Sequence, residues 1–286
     1  MLQVARRGAL SLGESLPVVR AFAHSRLSSE GEGLDRDGRP DLYYTIFALA
    51  LLQALDEAVP FGVVRERLLG FGSGGALDFV HLGALARCWA VVGAPPKEIA
   101  LGILEKVESY RTDNGGFDGE AGAASGTAYG GFVALGSYQD LGVQLPDPLR
   151  LVQSLKFLET RDGAWGNVPG LRVGSTNASA AAVTLLHQLE MPIHEAAGSW
   201  LLSQMHPAGG FLAMPLAPIP DLLSTATALH ALSCLEVELG AVAKERCLDF
   251  LDSLWTAQGG FHGHWADDHL DAEYTFYGLL ALGHLL

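Results

Sequence analysis

The chain has 286 residues, more than the roughly 100–150 of a typical single core, so length alone reads as two domains or one array of repeats. Glycine supplies 35 residues, about 12 per cent where about 7 is usual, while charged residues supply only 17 per cent. Hydrophobic content of 49 per cent excludes disorder, the lack of a three-residue glycine period excludes collagen, and three cysteines exclude a disulfide scaffold. A net charge of -14, from 18 basic and 32 acidic side chains, repels nucleic-acid phosphates and anionic lipid headgroups.

In chain order, Arg6 and Arg7 are followed by Glu14 before any adequate apolar stretch, so no secretory leader is expected. The glycines then fall at intervals. Clear anchors are Asn114-Gly115-Gly116-Phe117, Asp162-Gly163-Ala164-Trp165, Ala208-Gly209-Gly210-Phe211 and Gln258-Gly259-Gly260-Phe261, with aromatic-to-aromatic steps of 48, 46 and 50. A degraded anchor stands at Gly70-Phe71-Gly72, and the stretch 31–38 takes the place of the first. Such a period means stacked repeats, about six of them in this length.

Each repeat parses as two helices. Ahead of an anchor lies an amphipathic stretch such as 241–256, in which apolar residues recur at helical spacing. The glycine after it suits a left-handed C′ position. Beyond a short loop comes a stretch apolar almost all round: 44–55, 82–92, 128–141, 176–189, 224–235 and 274–286. Helices apolar on every side are buried. Six outer and six inner helices bury both flanks of the inner set when the array closes on itself. The fold expected is therefore all-α, an α/α toroid or six-over-six helical barrel, forming one domain over residues 1–286. Twelve helices fill the chain without remainder, and an open solenoid is the alternative. The longest uncharged run, 121–139, carries five glycines and several hydroxyl or amide residues, so no membrane span is expected. Cys88, Cys234 and Cys247 sit in apolar helical patterns and read as reduced thiols, which suits a cytoplasmic protein.

The anchors, each followed by an inner helix, resemble the repeats of protein prenyltransferase β subunits and of squalene-hopene cyclases and related terpene cyclases. The best single stretch is Gln258 to Phe261 with Asp271-Ala272-Glu273-Tyr274-Thr275. The resemblance implies a toroid with a central apolar cavity for an isoprenoid or other lipid, and the transferase branch adds a helical partner protein. That branch also implies zinc, held by an Asp-x-Cys and a later His. Asp221 matches the first ligand here, but Leu223 stands at the cysteine and Tyr274 at the histidine. Basic residues for a diphosphate are absent from 212–220. The zinc site therefore reads as lost.

The cyclase branch implies an acidic motif that protonates the substrate, and Asp271 and Glu273 lie in its register. Candidate catalytic residues are Asp271, Glu273 and Asp221. Tyr43, Tyr44, Tyr129, Tyr274 and Trp265 are candidates for lining the substrate. Asp271 also reads as a plain helix N-cap with Glu273 in the first turn. The loop 262–271 gathers three histidines and three aspartates, so His262, His264 and Asp268 are candidate ligands for a divalent metal. The functions left open are isoprenoid chemistry, by alkyl transfer or by carbocation cyclisation, and non-catalytic binding of an isoprenoid or a partner protein.

Overall fold

The computed structural model describes every residue from Met1 to Leu286. It contains thirteen α-helices and one two-stranded hairpin: α1 (Leu2–Leu10), α2 (Leu16–Ser25), β1 (Gly33–Leu34), β2 (Pro40–Asp41), α3 (Leu42–Ala54), α4 (Phe61–Phe71), α5 (Phe79–Val92), α6 (Lys97–Glu108), α7 (Ala128–Asp140), α8 (Pro148–Lys156), α9 (Thr176–Gln188), α10 (Ala196–Ser203), α11 (Leu222–Cys234), α12 (Ala241–Leu254) and α13 (Ala272–Leu285). No helix is long and apolar enough to cross a membrane.

The six all-apolar stretches are α3, α5, α7, α9, α11 and α13. Each carries buried residues on most of its circumference, such as Leu49, Leu51 and Leu52 of α3 and Leu279, Leu280 and Ala281 of α13. Five of their starts are built alike. Asp41, Asp78, Thr127, Asp221 and Asp271 are N-caps whose side chains accept the backbone N–H three residues on. This satisfies one of the donors a helix start leaves without a partner.

The expectation of twelve helices without remainder is corrected by α1. Its nine residues carry two arginines and no broad apolar stripe, and it is held by close backbone approach instead. A Cβ on Gly8 would collide with the Leu279 carbonyl, and one on Gly283 with the Val4 carbonyl. Only glycine lets these two helices cross at that distance.

The anchor glycines have the expected left-handed backbone but a different role. Gly115, Gly163, Gly209 and Gly259 have φ between 86° and 92°. They lie beyond the helix ends, closing tight turns: in the last, the Gly259 N–H reaches Thr256 O and the Thr256 N–H reaches Gly260 O. Each turn pairs the residue six before the anchor aromatic with that aromatic, as in Arg111 with Phe117 and Trp255 with Phe261. Leu27 pairs with Gly33 in the same way, so Gly33 holds the aromatic's place in the first repeat. The degraded Gly70-Phe71-Gly72 anchor makes no such bridge, because Phe71 is still helical and Gly72 caps α4.

The chain forms two compact units, Met1–Val59 with Gly198–Leu286, and Pro60–Ala197. In the second unit α5 packs on α7 and α7 on α9, with α4 and α6 against α5. In the first, α11 packs on α13 and α13 on α3, while α1 lies against both α13 and α3. The anchor turns touch the outer helix that follows: Gly115 abuts Arg150 of α8, Gly209 abuts Arg246 of α12, and Gly259 abuts Val18 and Phe22 of α2. The last repeat thus docks on the first through the contact that joins consecutive repeats.

Candidate functional site

The first turns of α3 and α13 meet in the first unit. At each start a threonine ties the helix to the preceding turn. Thr275 Oγ1 donates to Asp271 O at 2.7 Å and accepts from Phe261 N at 3.3 Å; Thr45 Oγ1 donates to Asp41 O at 2.7 Å and accepts from Gly33 N at 2.8 Å. With the cap and threonine fixed, the residues two places after each Asp, Glu273 and Tyr43, face one another. The Tyr43 hydroxyl donates to Glu273 Oε1 at 2.6 Å.

Glu273 is a perturbed carboxyl, its pKa pushed up to about 7. Desolvation on burial is the largest cause, the Tyr43 hydrogen bond opposes it, and the charge of Asp271 adds to it. At neutral pH the group is therefore divided between acid and carboxylate. Asp271 is wholly buried, with Oδ1 taken by the Tyr274 N–H. Its other oxygen accepts from Arg36 Nε at 2.7 Å. Burial raises the Asp271 pKa, while the cap bond and Arg36 hold it down.

Arg36 is the residue that sequence reasoning missed. It sits in the turn between β1 and β2, between Asp35 and Asp37, and in sequence looks like a solvated loop cation. In the structure its guanidinium joins Asp271 to Asp267, at 3.4 Å, and lies 5.0 Å over the Tyr274 ring. Burial and the surrounding acids push the hydroxyls of Tyr44 and Tyr274 up to about 12, so both stay protonated. Asp221 of α11 is an N-cap whose pKa burial raises, with its Oδ1 taken by Ser224 N–H at 2.7 Å.

Below Glu273 runs an aromatic surface that the sequence reading also passed over. Phe47 ring contacts reach Tyr43 at 5.2 Å, Tyr277 at 5.6 Å and Phe276 at 6.1 Å between centroids. The signal was present in the spacing: Phe47 follows Tyr43, and Tyr277 follows Glu273, by four residues, which stacks them on one helix face.

Other expected residues lie elsewhere. Trp265 is 45 per cent exposed; its Nε1 donates to Ser253 Oγ at 2.9 Å, and its ring meets Phe250 of α12 and His206. Tyr129 belongs to the second unit, at the start of α7, and is 43 per cent exposed. Two of the loop histidines each spend one ring nitrogen on the loop. His262 Nδ1 donates to His269 O at 2.9 Å, and His264 Nδ1 accepts from Ala266 N–H at 3.1 Å. Asp268 points to solvent, and no three His, Cys, Asp or Glu side chains converge as metal ligands anywhere in the chain.

Residues 172–285 match the prenyltransferase alpha-alpha toroid domain family. Solved structures match over nearly the whole length. A variant of the type II terpene cyclase MstE from Scytonema, in complex with geranylgeranyl dihydroxybenzoate, is 16% identical over 97% of this chain and 97% of its own, with a TM-score of 0.62. Candida albicans protein geranylgeranyltransferase-I, complexed with GGPP, is 12% identical over 94% and 90%, with a TM-score of 0.68. A protein from Actinoplanes is 16% identical over 96% and 98%, with a TM-score of 0.63. No curated protein is similar enough in sequence to match. The fold is thus an α/α toroid like that of these solved structures.

Proposed function

We propose that this protein holds an electrically neutral isoprenoid and starts carbocation chemistry on it by proton transfer from Glu273. The observation that carries the reading is that carboxyl: half-buried, bonded to Tyr43, and with its pKa pushed up to about 7, which keeps a proton available at neutral pH. In the step, the Glu273 O–H breaks, the π electrons of a substrate alkene form the new C–H bond, and a tertiary cation remains on the chain. Tyr43 and Arg36 stabilise the carboxylate left behind, and the faces of Phe47, Phe276 and Tyr277 stabilise the cation. Asp271 positions Arg36, and Tyr44 and Tyr274 wall the site. Asp221, at the start of α11, which packs on α13, borders the same apolar cavity.

Neutral substrate follows from charge. Asp267, Asp271 and Glu273 face the cation Arg36, which is already shared between the first two. A diphosphate would meet repulsion there rather than a clamp. Zinc fits no better, since Leu223 offers no donor atom and Tyr274 is a protonated phenol stacked on Arg36. These same substitutions favour a second reading, a non-catalytic toroid that sequesters an isoprenoid or docks a protein such as the helical partner of the transferases. Both readings treat residues 1–286 as one domain.

The experiment is incubation with neutral polyprenes and with prenyl diphosphates, followed by product mass spectrometry. Cyclisation yields an isomer of unchanged mass from the neutral polyprene, with a rate that falls as pH rises through about 7 and that Glu273→Gln abolishes. Turnover unaffected by Glu273→Gln overturns the assignment. Ligand that raises the melting temperature without product establishes the binder instead.

A further inference from the structure

A second polar site lies on the outside of the same seam, and nothing in the cyclase reading uses it. Between α2 and the loop joining α12 to α13 is an open cavity of about 550 Å³. Its volume is that of a small-molecule site. Phe22 and Arg26 contribute from α2, and Gln258, His262, Asp268 and His269 from the other side.

The polar atoms here have few partners of their own. Arg26 stacks its guanidinium over the Phe22 ring at 5.2 Å, and its Nε donates to Ser25 Oγ at 3.3 Å. It makes no ion pair with any acid, in a chain of net charge -14. The Gln258 amide makes no hydrogen bond. His262 has committed Nδ1 to His269 O, which leaves Nε2 for another group. Asp267, the nearest other acid in the loop, takes Gly263 N–H, His269 N–H and Arg36 on its oxygens and stands 3.5 Å from His269 Nδ1. Asp268 is the one carboxylate on the wall.

We propose that this cavity binds a small multivalent oxyanion, a phosphate or carboxylate compound. Arg26 supplies the fixed charge and a pair of parallel N–H donors, the geometry that suits such groups. The Gln258 amide N–H supplies a further donor, the two imidazoles donate from Nε2 in their protonated form, and Phe22 gives an apolar floor for the body of the ligand. Because Arg26 comes from the first repeat and Gln258, His262 and His269 from the last, the bound anion ties the two together. The site is independent of Glu273 chemistry, so either can fail alone.

Isothermal titration of the full-length protein with inorganic diphosphate and, separately, with citrate tests it. Saturable one-to-one binding is expected for at least one, weaker at high salt; which one binds tells phosphate from carboxylate. Arg26→Gln weakens it about tenfold or more, and Asp268→Asn, which removes the only opposing charge, strengthens it. A gain in affinity cannot arise from misfolding, so the second variant guards the first. No saturable heat with either anion, or the same affinity in wild type and both variants, overturns the proposal.

Discussion

The starts of α11 and α13 are two copies of one frame that present different side chains. Asp221-Leu222-Leu223-Ser224-Thr225 and Asp271-Ala272-Glu273-Tyr274-Thr275 share the cap, in which the aspartate accepts the N–H three residues on. They share the threonine too, which returns a 2.7 Å bond to the cap carbonyl and receives the N–H of the preceding anchor aromatic. Between cap and threonine, one helix has Leu223 and the other Glu273. The frame is therefore the fold's requirement, and the residue it presents is free to carry chemistry. The second aspartate oxygen differs as well, since only Asp271 is gripped by an arginine from the far end of the chain.

Removing the cap in each copy breaks the comparison hardest. Asp271→Ala takes away a cap and leaves Arg36 without its main partner, for an expected loss of about 3 kcal/mol in urea unfolding. Equal losses from Asp271→Ala and Asp221→Ala would mean that Arg36 contributes nothing. Next comes the proton on Glu273. With a folded pKa of about 7 against an ordinary 4.5, the folded chain binds more protons between those values, so stability falls as pH rises across the window, by about 3 kcal/mol at most. Glu273→Gln flattens that limb, as melting temperatures between pH 4.5 and 7.5 will report. The other end of α13 runs oppositely. There His284 lies 3.1 Å from His230, and its pKa is pushed down to about 3 by burial, by His230 and by the chain terminus and Arg7. Folding stability is lost as pH drops below about 6.5, a loss His284→Gln removes.

Smaller effects sharpen the frame. Asp221→Ala, which loses a cap and no ion pair, costs about 1 kcal/mol. Tyr43→Phe costs no more than about 1 kcal/mol, because one hydrogen bond goes while the ring remains. It raises the Glu273 pKa further, since that bond favours the carboxylate, and an NMR titration of the carboxyl carbon reads the shift.

The inner helices were legible because their signal is local: an all-round apolar run behind a glycine turn. The cap at Asp271 and the register of Glu273 were legible for the same reason. Helix α1 was not, since Gly8 against Gly283 is a contact of absences, with no side-chain pattern to read. Arg36 was not, since its partners lie 231 and 235 residues away and its own neighbours are polar loop residues. The composition of the histidine loop suits a metal but does not show that His262 Nδ1 bonds His269 O or that His264 Nδ1 accepts from Ala266 N–H.

The seam where Arg36 meets Asp271 also bears on how the chain assembles. Its ion pair joins residues 235 apart, where successive anchors are about 48 apart. Because closure entropy grows only with the logarithm of loop length, bringing these ends together costs about 1.4 kcal/mol more than joining adjacent repeats. That is less than the effect expected from Asp271 alone. A long-range junction is thus thermodynamically as secure as a local one, and the handicap it carries is one of time. The contacts of α1, α3 and α13 form only after nearly all the chain exists, which places this protein among the slower-folding helical proteins for its size.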